Sequence, residues 1–293
     1  MLRKGGIGSV AWKREILSKL RFLFNVLKKF YSDNGLLLSS GITFNLLVGL
    51  IPLTLLLLAL SGSYLFSDRE VLDYLRHYLE KVVPALDPGI TENILGIIQN
   101  RRVVGILGIG GLVVAVLSVF SSLRAVLNTV FQVEKPQGII RGTAIDLFML
   151  FLAGIFHMVS MVVTSVFTYY RSYPPHYVLT RGSMIIFLLK YLVPFFFTFW
   201  MFFFIYKIAP NRKINSVAVF KATCFTSVLW EAAKHFFGWY VLNVGQFSFV
   251  YGSLSTLIIF VLWVSYSAAI LILGGEVAFL LEEERKQEPA TRR

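Results

Sequence analysis

The sequence predicts an all-α polytopic membrane protein with six transmembrane helices. Of its 293 residues, 56% are hydrophobic and 15% are charged, whereas a soluble domain usually has about 45–50% apolar residues with glycine included and about 25% charged residues. The apolar residues also gather in runs of about 20 residues or more, the length that a helix needs to cross the hydrocarbon core. A water-soluble globular fold is therefore excluded.

Each apolar run is expected to form one transmembrane helix. The six runs are 36–66, 103–131, 143–170, 183–207, 216–242 and 253–281. They divide the chain into a cytoplasmic basic amphipathic segment, 1–35, a six-span transmembrane domain, 36–281, and a cytoplasmic charged tail, 282–293. The first 35 residues hold no compact apolar stretch followed by a small-residue cleavage site, so no cleavable signal peptide is expected.

The lysines and arginines between the runs predict the orientation, because cytoplasmic connections are enriched in these residues. The chain has a net charge of +12. Seventeen basic residues fall on one side, in the first 35 residues, the second and fourth connections and the tail, and seven fall on the other. Both termini are therefore predicted to be cytoplasmic.

The N-terminal segment has apolar residues at helical spacing with lysines and arginines between them. The apolar positions are Trp12, Ile16, Leu20, Phe24, Leu27 and Tyr31. This pattern is typical of an interfacial helix on an anionic inner leaflet, although a basic segment can also bind nucleic acid. Because a full apolar stripe contributes nothing to binding a phosphate backbone, membrane lipids are the expected partner and nucleic acid is not.

The first external connection, 67–102, is predicted to contain helices rather than a plain loop. Apolar residues at helical spacing indicate two short amphipathic helices, broken around Pro84 and Asp87-Pro88-Gly89. We expect these helices to cap the bundle on its outer side.

Three ionisable residues, Glu231, Lys234 and His235, lie within the fifth run at positions i, i+3 and i+4. This spacing places them on one helical face, about fifteen residues or roughly 22 Å from the inner end of the run. Ionisable groups at such a depth are costly and are functional candidates. Two interpretations stay open: a self-satisfied Glu231–Lys234 pair buried between helices, or a polar surface lining a path for a head group, ion or proton.

A second polar group is predicted near the cytoplasmic side. Arg124 and Asn128 share a face of the second run, Asp146 opens the third, and Glu276 lies near the end of the sixth. An ion pair of Arg124 with Asp146 or Glu276 would hold helices in register, whereas a substrate site would use Arg124 to attract an anionic group from the inner leaflet. Both interpretations stay open.

Small residues and prolines within the runs predict how the helices pack. A stripe of small residues along the second run predicts a close helix contact, and its members are Gly111, Ala115, Ser118 and Ser122. Pro52 and Pro194 remove backbone hydrogen bonds within the first and fourth runs. These two prolines are candidate hinges.

Five segments carry motifs that are similar to one family of bacterial membrane proteins. They are Ser39-Ser40-Gly41 to Pro52, Ser121-Ser122 to Leu127-Asn128, Tyr206-Lys207-Ile208-Ala209-Pro210-Asn211, Trp230-Glu231 to Tyr240, and Tyr251-Gly252-Ser253-Leu254 to Leu273-Gly274-Gly275-Glu276. Over about residues 30–282 the chain resembles the YihY/virulence factor BrkB family. The resemblance implies a six-span protein of the bacterial inner (cytoplasmic) membrane.

Members of that family were once labelled ribonuclease BN, but the residues argue against nuclease chemistry. A metal-dependent nuclease needs clustered ligands, whereas the four histidines, His77, His157, His176 and His235, lie in separate segments. The single cysteine, Cys224, allows neither a disulfide nor a thiolate zinc site, and neither a G-x-S-x-G elbow nor a P-loop occurs. The protein is therefore expected not to be an enzyme, and no catalytic residue, metal site or cofactor is expected.

The first functional hypothesis is transport or lipid translocation in the cell envelope along a polar path between helices. Its substrate would be an unidentified lipid or small solute, and the path residues are Glu231, Lys234, His235, Arg124, Asn128, Asp146 and Glu276. The alternative is a structural or interaction protein that supports envelope integrity, in which the same charges only lock helices together. An intramembrane enzyme is least favoured, because no nucleophile and base are paired at depth. A homo-oligomer is compatible with each hypothesis.

Overall fold

A computed structural model of the chain describes residues 6–65, 101–134, 138–172, 192–243 and 254–291. These residues form seven α-helices, which confirms the all-α class. They are α1 (Gly6–Ser32), α2 (Gly35–Leu65), α3 (Arg101–Val130), α4 (Ile139–Ser172), α5 (Val193–Ile208), α6 (Ser216–Asn243) and α7 (Leu254–Thr291). The predicted helices of the first external connection lie almost entirely outside the described residues.

Among the residues that the structure describes, three helical segments are long and apolar enough to cross a bilayer: Gly35–Leu57, Arg102–Val130 and Ser255–Gln287. Helix α5 is equally apolar in character but has 16 residues as described, and α6 is interrupted by three charged side chains, Lys221, Glu231 and Lys234. The chain is thus a membrane protein with several spans, and the count of six stays a prediction.

Helix α7 continues beyond the apolar run that predicted it. The run ends near 281, whereas the helix extends to Thr291, because the residues that follow are mainly glutamate, lysine, arginine and glutamine, which have high helix propensity. Part of the predicted charged tail is therefore the last turns of a long helix.

The described residues group into two compact units, Met1–Thr43 with Phe120–Arg293, and Phe44–Val119. In the second unit, the small residues of α3 lie against α2. A Cβ added at Gly111 would come 2.9 Å from the Cβ of Pro52, and one added at Gly49 would come 3.4 Å from the Cβ of Ala115. This close approach is what the small-residue stripe predicted.

In the first unit, α6 packs against both α5 and α7, α1 packs against α7, and α4 packs against α5. Tyr206 of α5 is fully buried at the centre of this arrangement, where its hydroxyl donates to Leu271 O at 2.8 Å and lies 3.1 Å from Thr226 Oγ1. Gly274 of α7 gives these two side chains room, because a Cβ there would run into both. The three helices therefore meet around a hydrogen-bonded tyrosine.

The turn between α1 and α2 is only two residues long. Asn34 has a φ of 56°, a left-handed conformation that asparagine adopts more readily than most residues and that commonly ends helices. The ring of Phe30 then occupies the space where a Cβ of residue 35 would stand, so only glycine fits at Gly35. The turn thereby fixes the point at which α1 ends and α2 begins.

Candidate functional site

Glu231, Lys234 and His235 lie together on one side of α6, as their spacing predicts. Lys234 Nζ is 2.7 Å from Glu231 Oε2, and His235 Nε2 is 3.7 Å from Glu231 Oε1. The first contact is an ion pair without the alignment of a hydrogen bond, so Glu231 Oε2 keeps its capacity to accept one. The Glu231 and Lys234 side chains are 29% and 33% exposed, although the paired oxygen, Glu231 Oε2, is itself buried.

Hydroxyl groups without hydrogen-bond partners among the described residues occur on the same helix and on its neighbour. They are Ser227 Oγ on α6 and Tyr266 Oη and Ser267 Oγ on α7. In contrast, the nearby Thr226 donates to the carbonyl oxygen of Ala222 at 2.8 Å. Unpaired polar groups are unfavourable away from water, so these three buried hydroxyls have unused hydrogen-bonding capacity.

An aromatic cluster joins α6 to α7 at the level of Glu231. The ring of Trp263 lies 5.6 Å from that of Trp230, 4.6 Å from that of Phe237 and 5.7 Å from that of Tyr266. Trp230 and Phe237 flank the charged residues in sequence, and Tyr266 carries one of the unpaired hydroxyls. We use the name α6–α7 polar surface for the polar residues that these two helices carry in the region of the cluster: Ser227, Glu231, Lys234, His235, Tyr266 and Ser267.

Arg124 of α3 contacts Asp146 of α4. Its Nε and Nη2 donate to the two carboxylate oxygens at 2.9 and 3.0 Å, the geometry of a strong bidentate pair. Asp146 is buried, and Gly142 leaves room for the guanidinium, since a Cβ there would stand 2.7 Å from it. Of the two partners that the sequence suggested for Arg124, Asp146 is the one in contact.

A groove runs along the last turns of α3 beside this ion pair. Its volume is about 360 Å³, and its lining includes Ser121, Arg124, Ala125, Asn128, Thr129 and Gln132. The Asn128 side chain does not project freely into it, because its Oδ1 accepts the backbone N–H of Asn211 at 2.8 Å. Asn128 therefore also holds the segment that follows α5.

Glu276 is paired with Lys29 of α1 rather than with Arg124. Its side chain is fully buried, and Oε2 lies 2.7 Å from Lys29 Nζ. The same ammonium pairs with Asp33, donates to Val130 O at 3.0 Å and lies 4.3 Å from the centre of the Phe279 ring. Sequence reasoning missed Lys29, which the amphipathic pattern counts only as one more surface charge.

A second cation packs near Phe279. Arg212, in the segment after α5, lies 5.5 Å from the centre of that ring, donates to Phe131 O at 3.0 Å and pairs with Glu283. Next to it, Glu282 accepts the backbone N–H of Asn215 at 3.0 Å. We call this arrangement the Phe279 ion-pair cluster, and its charged members are Lys29, Asp33, Arg212, Glu276 and Glu283.

The two candidate hinges have different positions in their helices. Pro52 lies inside α2, where it removes a backbone hydrogen bond. Pro194 is the second residue of α5 as described, a position at which a proline costs little. The hinge role of both stays a prediction. In the described part of the chain, no three His, Cys, Asp or Glu side chains lie close enough together to hold a metal ion.

The chain matches the profile of the Virulence factor BrkB family over residues 26–293. Among similar proteins, a UPF0761 membrane protein of Prosthecochloris aestuarii is 27% identical over 267 residues, which are 89% of this chain and 60% of that protein. One of Chlorobium phaeobacteroides is 28% identical over 87% of this chain and 56% of its own length. One of Histophilus somni is 23% identical over 91% of this chain and 92% of its own length.

The chain thus spans three fifths or less of the first two relatives and nearly all of the third. No solved structure is detectably similar to it.

Proposed function

The chain belongs to the Virulence factor BrkB family, and we propose that it moves a lipid or a small polar solute across the bacterial inner membrane along the α6–α7 polar surface. The observation that carries this proposal is the partial exposure of Glu231 and Lys234, a charged pair within the mainly apolar helix α6. A pair with only a structural role is expected to be buried between helices. Ionisable groups within membrane segments usually face a bundle interior or a water-filled cavity.

The unpaired hydroxyls of Ser227, Tyr266 and Ser267 support the same proposal. A path for a polar group must offer hydrogen bonds that no neighbouring side chain already uses, because the moving group loses its water as it enters. The aromatic cluster around Trp263 would line that path with polarisable rings, and ring faces attract the cationic part of a zwitterionic head group.

In this account, the groove beside Arg124 is the entrance from the inner leaflet. Arg124 uses Nε and Nη2 for Asp146, and a guanidinium has five N–H donors, so it can still bind an anionic oxygen from the groove. Because Asp146 offsets its charge, the entrance favours a zwitterionic or weakly anionic group over a strongly anionic one.

In this function the protein has the predicted six spans with both termini in the cytoplasm. It has no enzymatic activity and needs no metal or cofactor. Energy would come from a gradient or a partner, and a homo-oligomer stays compatible with it. The Phe279 ion-pair cluster would then lie at the cytoplasmic end of the bundle, where the positive-inside pattern places the end of α1, the segment after α5 and the end of α7.

The test is movement of labelled phosphatidylglycerol and phosphatidylcholine across liposomes that contain the purified protein. We expect Glu231→Gln and Arg124→Gln to slow lipid movement about tenfold or more, the effect of losing one hydrogen bond to a charged group. Glu284→Gln and Arg141→Gln make the same chemical changes at exposed positions and are expected to keep the wild-type rate. Wild-type rates in folded Glu231→Gln and Arg124→Gln proteins would contradict the proposal.

A structural role is the second candidate, and one observation favours it. The two cations of the Phe279 ion-pair cluster and Arg124 are paired within the protein: Lys29 with Glu276, Arg212 with Glu283, and Arg124 with Asp146. Such pairs can hold helices in register without binding any substrate. If the role is structural, the Arg124→Gln protein should unfold more easily than the wild-type protein. Liposomes that contain the wild-type protein should then move no lipid or solute.

A further inference from the structure

We propose that α1 is a membrane-surface helix whose outer apolar stripe lies in the head-group region of an anionic leaflet while its inner face stays packed on the protein. The partner is the lipid surface itself, so the inference is independent of whether the protein transports anything. It rests on the exposure and charge of the α1 side chains from Glu15 onwards, where the structure describes them.

The inner face of α1 is part of the protein core. Val26 and Phe30 are 1% and 5% exposed, Phe22 packs beside them, and Lys29 on this side pairs with Glu276. These contacts fix the rotation of the helix about its axis. The predicted apolar stripe therefore cannot turn toward the protein core, and it must contact either the membrane or another molecule.

The outer stripe is apolar and uncovered. Its members are Ile16, Leu20, Phe24, Leu27 and Tyr31, with exposed fractions from 37% to 68%. A continuous exposed apolar stripe of this kind marks an interaction surface. The pattern assigns Trp12 to the same stripe, and the structure describes its backbone but not its side chain.

The charges of α1 exclude a transmembrane orientation and indicate which surface it meets. Lys and Arg are frequent along the helix, and a helix this charged cannot lie across the hydrocarbon core. Arg21 and Lys28 are exposed, and each lies one turn after an exposed apolar residue, Leu17 and Phe24, on the same side of the helix. Cations beside an apolar stripe are what an interfacial helix on anionic lipid requires.

The test uses the full chain in liposomes with a polarity-sensitive NBD label on a single cysteine. The native cysteine is removed by Cys224→Ser, and labels are placed by Leu20→Cys or Phe24→Cys on the stripe. Asn25→Cys is the matched control, because Asn25 is exposed and lies on the far side of the basic residues from the stripe.

We expect blue-shifted, brighter NBD emission at positions 20 and 24 in liposomes with phosphatidylglycerol, and water-like emission at position 25. Adding Arg21→Gln or Lys28→Gln should lower the ratio of inserted to solvated label about fivefold per charge, and salt should act in the same direction. Water-like emission at both stripe positions would overturn the proposal. So would a blue shift that needs no anionic lipid and grows with the protein-to-lipid ratio, since that would assign the stripe to a second copy of the chain.

Discussion

Lys29→Met is expected to destabilise the folded protein by about 3–5 kcal/mol, the effect of removing one partner from a buried charge pair. The Lys29 side chain is 12% exposed and that of Glu276 is fully buried, and Asp33 contacts the same ammonium. Without Lys29, two neighbouring carboxylates lose their shared cation. Denaturant unfolding in detergent measures the change.

The contacts of the Phe279 ion-pair cluster also predict which variants lose most stability. Glu276→Gln should destabilise the protein less than Lys29→Met, because Lys29 keeps Asp33 and the carbonyl of Val130. Lys29→Met combined with Glu276→Met should recover part of the loss, since the uncompensated buried carboxylate is gone. Lys28→Met is the matched control at an exposed neighbouring position. An equal effect of Lys28→Met and Lys29→Met would show that the cluster does not stabilise the fold.

Gly274→Ala is the second change with a large expected effect. The added Cβ would overlap Thr226 Oγ1 and Tyr206 Oη, both of which are buried and hydrogen-bonded. Overpacking typically costs about 1–3 kcal/mol, and displacing the tyrosine would also remove its bond to the Leu271 carbonyl. We therefore expect a loss near the top of that range, measured as a lower unfolding midpoint in detergent.

Gly238→Ala provides the control for this prediction. Gly238 is also in a helix, but nothing lies within 4 Å of a Cβ added there. Alanine should therefore be neutral, or it should stabilise the protein by about 0.4–1 kcal/mol because it lowers the conformational entropy of the unfolded chain. Equal stability of the Gly274→Ala and wild-type proteins would contradict the close approach of α7 to Tyr206.

The features that the sequence predicted correctly are those with local causes. Helical class follows from long apolar runs, and the meeting of Glu231 with Lys234 and His235 follows from helix geometry alone. The small residues of α3 lie against α2, as membrane helix packing requires. Each of these inferences needed only residues close together in sequence, or a general property of neighbouring spans.

The missed features depend on contacts between distant parts of the chain. Periodicity identified the outer stripe of α1 but gave no reason to assign Val26, Lys29 and Phe30 to the core. Their burial depends on contacts with other parts of the chain, such as those of Lys29 with Glu276 of α7 and with the carbonyl of Val130. For the same reason, the sequence suggested Arg124 as a partner of Glu276, whereas the structure pairs Glu276 with Lys29. The i, i+4 spacing of Lys29 and Asp33, together with the acidic end of α7, was the available signal.

The central claim is that Glu231 and Lys234 contact what the protein moves, and a charge swap tests it most directly. The double variant Glu231→Lys with Lys234→Glu keeps net charge and an ion pair one turn apart, so its stability should change by only about 0.5 kcal/mol. Movement of labelled phosphatidylglycerol and phosphatidylcholine is measured on the same preparations. The account predicts a severalfold change in the ratio of the two rates, and an unchanged ratio in a stable swapped protein would contradict it.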